Sequence, residues 1–440
     1  MAAVRRCIRQ YRHSCLPRYV YACIEPLQER LIRSLSFFGG RVGVIDDIRD
    51  EKRWTAFLED RRSRFSCPER LLRHIESVIS EGRFIAMHDD IVSGRFFSAV
   101  PVKRLVAKSG KSKKRTVYYY RGDHRLLMKF LNFELQKYEQ LFSEALFSFS
   151  RRRNAKSALK KIISIRDRDR FYIYKLDIAD YFRSIDQDML IDMLKGSIED
   201  KALVNFLERL LRKHTFSYMG DIVSEDPGAM PGMPFAGFFA NLYLTDLDRM
   251  FLEEGYNYFR YSDDILVFCR DREDLEKVRE TIEDHLEKKH LSINRDKERV
   301  YLPGERFDFL GFSFDGDTID ISPATFKKLK ARIKRQSRSI RRWMLKKGVD
   351  IPAALSVMIR KFDHKFFGIE AGELSWAVWY FPWITTDATL RKADSYLQQE
   401  IRYIATGKHS KMNYVTVPYS ELRRLGYRTL VGEYYKYLVP

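Results

Sequence analysis

Apolar and polar positions are most informative in the middle of this chain. Residues 256–269 read Tyr256-Asn257-Tyr258-Phe259-Arg260-Tyr261-Ser262-Asp263-Asp264-Ile265-Leu266-Val267-Phe268-Cys269. Two aromatic and aliphatic runs flank adjacent aspartates, which predicts two antiparallel strands joined by a tight turn with the carboxylates at its tip. Phe171 to Leu176 predicts a further strand ending on Asp177. Helical spacing of Leu27, Leu31 and Leu35, then of Leu71, Leu72, Ile75 and Ile79, makes residues 1–100 mostly helical. Residues 124–164 read as helical with an interruption at 147–154. The Pro- and Gly-rich run from Asp226 to Pro234 predicts a rigid loop, followed by a helix from Phe238 to Glu254 that Gly255 stops. A second helix is expected over 272–290, with Leu275, Val278, Ile282 and Leu286 on one face. A β-like stretch follows at 307–312. The order strand, helix, hairpin, helix, strand predicts an α+β palm with helices on one face.

Bulk properties narrow the partner. The 440 residues suffice for two or three domains, and 45% hydrophobic with 14% aromatic residues argues against wholesale disorder. The net charge of +20 suggests a polyanion, most simply nucleic acid; the competing reading is a basic protein with a solvated surface. No stretch approaches the ~20 apolar residues of a membrane span, so no membrane partner is expected. Cys7, Cys15, Cys23, Cys67 and Cys269 form no CxxC pair, which argues against zinc and disulfides and fits a reducing cytoplasm. Residues 1–19 carry five Arg and no acid. That composition faintly suggests a transit peptide, but apolar residues continue at helical spacing, favouring a basic first helix of the fold.

Local charge adds candidate chemistry. Lys103, Arg104, Lys108, Lys111, Lys113, Lys114 and Arg115 surround Gly110 ahead of a β-like run; this is either a phosphate grip or a mobile charged hairpin. Residues 326–348 hold eleven Lys or Arg and no acid, with Leu329, Ile333, Ile340 and Met344 on one helical face. Such a helix suits a nucleic-acid backbone or an anionic membrane, and the rest of the chain favours the former. The aromatic clusters at 376–383 and 434–437 read first as core, then as base-stacking surface. Asp263 and Asp264 would repel each other beside a low-dielectric sheet, so they form either a divalent-metal site or a solvated turn. Asp177 is a metal ligand on a rigid strand end or an ordinary cap.

Taken in order, these pieces resemble a reverse transcriptase. Tyr261-Ser262-Asp263-Asp264 is similar to that superfamily's Tyr-x-Asp-Asp box, and Asp177 through Ile185, containing Asp180-Tyr181-Phe182, resembles its first carboxylate motif. Leu291-Ser292-Ile293-Asn294 with Lys297 resembles the lysine motif, and Phe307 to Phe312 the primer grip of group II intron and retron enzymes. Lys114-Arg115 matches the basic fingers motif; Phe149 and Arg153, with Ala155, Ala158 and Leu159, resemble the intron-type motif ahead of the palm. The likeness runs over about residues 100–315. One motif departs: Pro231 stands where the family has a Gln that touches the incoming nucleotide, and Ala236-Gly237 stands where it has Ser-Pro.

The resemblance implies a right-hand polymerase: a helical N-terminal extension (1–100), fingers and palm (101–315), and a basic helical thumb with C-terminal region (316–440). Joining a nucleotide to a 3′-hydroxyl calls for two divalent ions ~4 Å apart, one activating the hydroxyl and one clamping the triphosphate. Hard oxygen ligands suit Mg²⁺, with Mn²⁺ as the alternative. Asp177 and Asp263 would bridge the ions, Asp264 would complete the charge balance, and Ile178 joins the expected metal set. By the same resemblance, Lys297 would protonate the leaving pyrophosphate, and Lys114 and Arg115 would hold phosphates. Arg153, Asp180, Pro231 and Gly232 would line the nucleotide site, and Phe182 would exclude a ribose 2′-OH. Lys327, Lys328, Lys330, Arg332, Lys334, Arg335, Arg338, Arg341 and Arg342 would contact nucleic acid. No HNH-type cluster or RNase H carboxylate set follows residue 315. The tail, with Trp376 to Trp383, Leu425 to Val431 and Tyr434-Tyr435, resembles defence-associated bacterial enzymes. That implies a dedicated non-coding RNA template, DNA product from dNTPs, antiviral immunity, and a partner protein or homo-oligomer. The competing expectations are template-independent or protein-primed DNA synthesis, and a non-catalytic maturase-like scaffold.

Overall fold

Two buried cores meet at a four-stranded antiparallel sheet, and the alternation along its strands decides which core each side chain joins. The computed structural model describes residues 43–64, 67–107, 114–368 and 375–439, and residues 44–440 form one compact unit. The helical pattern at Leu27, Leu31 and Leu35, the Arg-rich start, Cys7, Cys15 and Cys23, and Lys108, Gly110, Lys111 and Lys113 lie outside the described residues. The strands are β1 (Val102–Ala107), β2 (Lys114–Tyr119), β3 (Tyr172–Asp177), β4 (Thr215–Tyr218), β5 (Asp221–Ser224), β6 (Asn257–Tyr261), β7 (Asp264–Cys269), β8 (Arg299–Tyr301), β9 (Phe307–Phe309), β10 (Phe312–Asp315) and β11 (Thr318–Ile321).

The central sheet has the order β6-β7-β3-β8. Tyr174, Leu176, Ile265 and Val267 face a core shared with the N-terminal half of the chain. Ile173, Leu266 and Phe268 face a second core built with the C-terminal half. Both faces are covered, which is why these strands read as continuous apolar runs. Burying each such side chain contributes about 1.5–3 kcal/mol. Under the first face lies the helix Arg272–Lys288, started by the Asp271 carboxylate, which accepts from the Asp274 amide at 2.8 Å. Its expected stripe of Leu275, Val278, Ile282 and Leu286 is buried there.

The helix expected over 238–254 is instead two, Ala236–Tyr243 and Thr245–Glu253. Leu244 breaks it at φ −119°, ψ 17°. Thr245 explains the break: its hydroxyl donates to the Leu141 carbonyl and accepts from the Ser143 amide, both at 3.2 Å. Those bonds tie the chain to the loop before residue 147.

A second sheet, β2-β1-β4-β5, forms the fingers. Within it β1 pairs with β4 in parallel, Val102 opposite Ser217; the β4–β5 hairpin has no counterpart among the elements expected from the sequence. The helices Glu51–Arg62, Glu69–Ser80 and Arg83–Val92 share the core of the helix Gly122–Glu134. Trp54 stacks on Phe130 with ring centroids 4.2 Å apart, and Arg53 pairs with the fully buried Glu134 at 2.5 Å.

Strands β9 to β11 form a third sheet leading into the long basic helix Pro323–Lys347. The Ser322 hydroxyl caps its start, Pro323 occupies the first turn, and Gly348 ends it in the left-handed region. Leu329, Ile333, Ile340 and Met344 are buried as their spacing requires. This helix packs against Ile351–Phe367 and Ala388–Thr406. Trp376 and Tyr380 are core residues, with ring centroids 4.9 Å apart and Tyr380 5.0 Å from Phe312. Among the described residues no helix is long and apolar enough to cross a membrane.

Candidate active site

The aspartate turn is held from beneath by buried charge. Tyr261 pairs with Asp264, leaving a two-residue loop of Ser262 and Asp263. Ser262 has φ +62°, a conformation that costs a non-glycine residue about 1–3 kcal/mol and persists only where neighbours impose it. The neighbours are identifiable. Its amide donates to Ser148 Oγ at 2.8 Å, and its carbonyl accepts from Arg260 Nη1 at 3.4 Å. Arg260, wholly buried, makes a two-pronged pair with Asp248, Nε to Oδ1 at 2.7 Å and Nη2 to Oδ2 at 2.6 Å. Burial opposes its charge, but Asp248 more than compensates and pushes its pKa up. Tyr258 also donates to Asp248 at 3.0 Å, and Arg260 reaches the Asn241 carbonyl at 3.1 Å. Ser148 is fixed in turn by Asn241, whose Nδ2 donates to its carbonyl at 2.9 Å.

The three carboxylates converge at one end of the sheet. Asp177 stands opposite Asp264 in the β3–β7 register, and the Ile178 amide donates to the Asp263 carbonyl at 3.0 Å. Asp177 is buried and accepts from Lys297 Nζ at 2.5 Å and from Asn294 Nδ2 at 3.3 Å. The Asn294 amide holds the Asp177 carbonyl at 2.8 Å, so the lysine motif is clamped onto the strand end. Burial pushes the Asp263 carboxyl up to about 6, with Asp177 adding repulsion. Burial also raises Asp264, against the pull of Lys175, Lys297 and Lys328. Lys328 belongs to the basic helix, so that helix begins beside the carboxylates. Lys175 donates to the Asp308 carbonyl at 2.9 Å, joining β3 to β9.

A divalent cation fits this chemistry. The available donors are hard oxygens, and a carboxyl held protonated up to about pH 6 marks negative charge short of compensation. Asp263 turns its own amide onto its carboxylate, and among the described residues no backbone N–H reaches the Ile178 carbonyl. Ile178 can therefore add a neutral oxygen. Among the described residues no set of three His, Cys, Asp or Glu side chains already closes on one point; here the Lys297 ammonium lies against Asp177.

A loop and two aromatic rings carry several of the residues expected to line the nucleotide site. The Phe182 carbonyl accepts from the Ala229 amide at 2.8 Å, and the Pro231 carbonyl accepts from the Tyr118 amide of β2 at 2.7 Å. The loop thus links palm to fingers. Gly232, at φ +97°, leaves no room for a side chain: a Cβ would lie 2.8 Å from that of Val117. Phe149 is 59% exposed at φ +50°, and its ring meets Phe182 edge-on at 6.1 Å. A Cβ on Gly237 would lie 2.6 Å from Phe149 Cγ, which accounts for glycine at that departure from the family pattern.

Other expected residues are exposed or engaged elsewhere. Asp180, exposed at φ +43°, precedes the short helix that carries Phe182. Lys114 and Arg115 are exposed on β2. The Arg153 guanidinium donates to the Leu146 carbonyl at 3.0 Å, bracing the loop that carries Ser148. On the basic helix, Lys327, Lys328, Lys330, Lys334, Arg335, Arg338 and Arg342 are exposed or half-buried, and so is Arg332. Arg341 instead donates to the Ile404 carbonyl at 2.7 Å, near the end of a neighbouring helix. Sequence reasoning missed Ser148, Asp248 and Arg260, and read Asn241 only as part of the Ala240-Asn241 pair that follows the loop motif. Of the missed residues only Arg260 gave a signal, as a charge inside an apolar strand.

Residues 106–314 match the family model described as reverse transcriptase (RNA-dependent DNA polymerase). The chain is 28% identical over 170 residues to an uncharacterized 91 kDa protein in the cob intron of Schizosaccharomyces pombe (strain 972 / ATCC 24843). That match takes in 38% of this chain and 20% of the relative, so the chain spans about a fifth of its length. Among solved structures it is similar to telomerase from Candida albicans in complex with a TWJ fragment of telomeric RNA, at 15% identity and TM-score 0.40, covering 74% of this chain and 63% of that one. Apo telomerase from Candida tropicalis matches at 12% identity and TM-score 0.40, covering 74% and 68%. With its α+β palm, fingers sheet and basic helix, the chain has the right-hand polymerase fold, and its residues 106–314 are similar to the reverse transcriptase family.

Proposed function

We propose that the chain is an RNA-directed DNA polymerase that extends a 3′-hydroxyl with deoxynucleotides. One observation carries this reading: the register that sets Asp177 opposite Asp264, beside Asp263, inside the matched domain. Asp177, Asp263 and Asp264, with the Ile178 carbonyl, would hold Mg²⁺ or Mn²⁺, which would supply the charge that activates the hydroxyl and steadies the triphosphate. Lys297 Nζ holds a proton next to Asp177, where it can be given to the leaving pyrophosphate. Phe182, backed by Phe149, closes the space a ribose 2′-OH would need. Lys114 and Arg115 meet the triphosphate as the fingers approach, while Asp180, Arg153, Pro231 and Gly232 shape the pocket around it. The outward-facing cations of the basic helix track the template–product backbone.

The finer reading is that the template is a dedicated non-coding RNA, copied in the cytoplasm as part of antiviral defence with a partner protein or a second copy of the chain. The tail motifs and the net charge of +20 support it. A second reading, template-independent or protein-primed synthesis, draws on Pro231, whose carbonyl is bound to the fingers, and on exposed Tyr435. Purified protein assayed with each dNTP, with and without its co-purifying RNA, separates the two. Incorporation directed by the RNA sequence is expected; synthesis that survives RNase treatment would replace the templated reading.

A further inference from the structure

Behind the loop that bears on Phe182, two side chains form a short relay back to the fingers. Gln187, buried in the first turn of the helix Gln187–Ser197, donates from Nε2 to the Gly228 carbonyl at 2.9 Å. Its Oε1 lies 2.8 Å from His214 Nε2. The amide nitrogen is spent on Gly228, so Oε1 accepts and His214 Nε2 carries the proton. His214 immediately precedes β4, and its carbonyl accepts from the Glu225 amide at 3.0 Å, closing the β4–β5 hairpin. The hairpin is thereby joined to the palm.

Gly228 has no slack. It sits at φ +56°, and a Cβ there would lie 2.5 Å from the carbonyl oxygens of both Phe182 and Arg183. The next amide, that of Ala229, donates to the Phe182 carbonyl at 2.8 Å. Gly228 is therefore pressed against the short helix carrying Phe182 on one side and held by Gln187 on the other. Further along the loop, the Pro231 carbonyl accepts from the Tyr118 amide at 2.7 Å. The Tyr118 hydroxyl donates at 2.8 Å to Glu225, at the far end of the same hairpin. Pro231 has no N–H and its carbonyl is engaged, so this part of the loop acts by position. Both ends of the loop thus refer to the β4–β5 hairpin, Gly228 through Gln187 and His214, Pro231 through Tyr118 and Glu225.

We infer that Gln187 and His214 are positioning residues for sugar discrimination: the pair sets how far the Gly228 loop holds Phe182 toward the ribose 2′ position. The inference rests on the polymerase reading and on the place given there to Phe182. Losing the relay lets Gly228 and Phe182 withdraw, which opens room for a 2′-OH. A role confined to packing would change stability alone.

The test is single-nucleotide incorporation by the full chain, with dATP or ATP opposite uridine in a supplied RNA template carrying a DNA primer. It compares wild type with Q187M, H214F, H214Q, F182V and F182V/Q187M, each checked for folding by thermal unfolding. Q187M keeps the side-chain length and removes both bonds; H214F keeps a ring and removes the donor. Each should lower the dATP-over-ATP ratio of kcat/KM by about 10-fold, chiefly through a lower KM for ATP, with kcat for dATP within about twofold of wild type. H214Q restores a donor and should keep the ratio within about threefold. Because Gln187 acts through Phe182, F182V/Q187M should discriminate no worse than F182V. An unchanged ratio in folded Q187M or H214F, equal loss in H214Q and H214F, or additive losses in the double variant would overturn the positioning role while leaving the polymerase reading intact. H214F and H214Q alter a half-buried side chain and decide the matter if Q187M does not fold. A wild type that incorporates neither nucleotide, or an F182V with wild-type preference, would instead overturn the underlying reading and the inference with it.

Discussion

Arg260 and Asp248 form a two-pronged, wholly buried ion pair directly beneath the turn that carries Asp263 and Asp264. From it the same guanidinium reaches the Ser262 carbonyl, so the strained residue of the turn and the buried pair form one unit. Breaking such a pair by removing one partner costs about 3–5 kcal/mol, since the other charge is left without compensation. Arg260→Met should therefore destabilise the protein by that amount in urea unfolding and abolish synthesis. R260M/D248L should recover most of the stability but not the activity, because Ser262 loses its clamp. A destabilisation below about 1 kcal/mol in R260M would contradict the role given to this pair.

Gly237 tests the second aromatic ring. Its alanine variant puts a methyl where Phe149 now lies. The expected outcome of Gly237→Ala is about a 10-fold loss of preference for dNTPs over rNTPs, measured as a ratio of kcat/KM. Unaltered discrimination in a folded variant would show that Phe149 does not support Phe182.

The raised Asp263 carboxyl gives a pH dependence with a definite sign. Its pKa in the fold, about 6, lies above the ordinary aspartate value of 3.8. Between these values the folded state binds more protons than the unfolded state, so stability falls as pH rises from about 4 to about 6. Asp263→Asn should flatten that limb and stabilise the metal-free protein by about 1–2 kcal/mol at pH 7. Added Mg²⁺ should stabilise wild type more at pH 7.5 than at pH 5.5, and should do little for D263N. A wild-type stability that rises through this window would contradict the carboxylate arrangement. Thermal unfolding with and without metal reads all three.

The basic helix divides into cations that face solvent and one that does not. Replacing Lys334, Arg335 and Arg338 with Gln should weaken RNA binding and reduce the salt slope by roughly 0.7 for each phosphate no longer neutralised, with little change in stability. Arg341→Ala should behave oppositely, because its guanidinium binds the Ile404 and Ala405 carbonyls: stability falls by about 1–3 kcal/mol and the slope stays. Similar effects from both would refute the division.

Much of this architecture is legible locally. The hairpin follows from two apolar runs around Asp263-Asp264, the Asp177 strand from its buried run, and the basic helix from the spacing of Leu329, Ile333, Ile340 and Met344. What escaped the sequence is non-local. The parallel pairing of β1 with β4 joins segments over a hundred residues apart, and nothing in Thr215 to Ser224 announces its partner. The break at Leu244 arises from bonds between Thr245 and residues 141–143, which a helical periodicity does not register. Arg260 stands out as a charge inside an apolar run, but alternation along the strand does not reveal its burial: Tyr258, Phe259 and Arg260 are all buried because both faces of the sheet are covered. Of the candidate site, the carboxylates were legible because chemistry demands them; their supports were not, because Ser148, Asn241 and Asp248 are common residues whose importance lies in what they touch.

The most direct measurement is RNA-templated incorporation of dNTPs by the full chain and by Asp263→Asn with Asp264→Asn, alongside RNA affinity. Template-directed synthesis by wild type in Mg²⁺ is predicted, with a drop of at least about 10³-fold in the double variant and unchanged RNA binding. Equal incorporation by the double variant, or synthesis indifferent to the RNA supplied, would contradict the assignment of Asp263 and Asp264 to a templated polymerase centre.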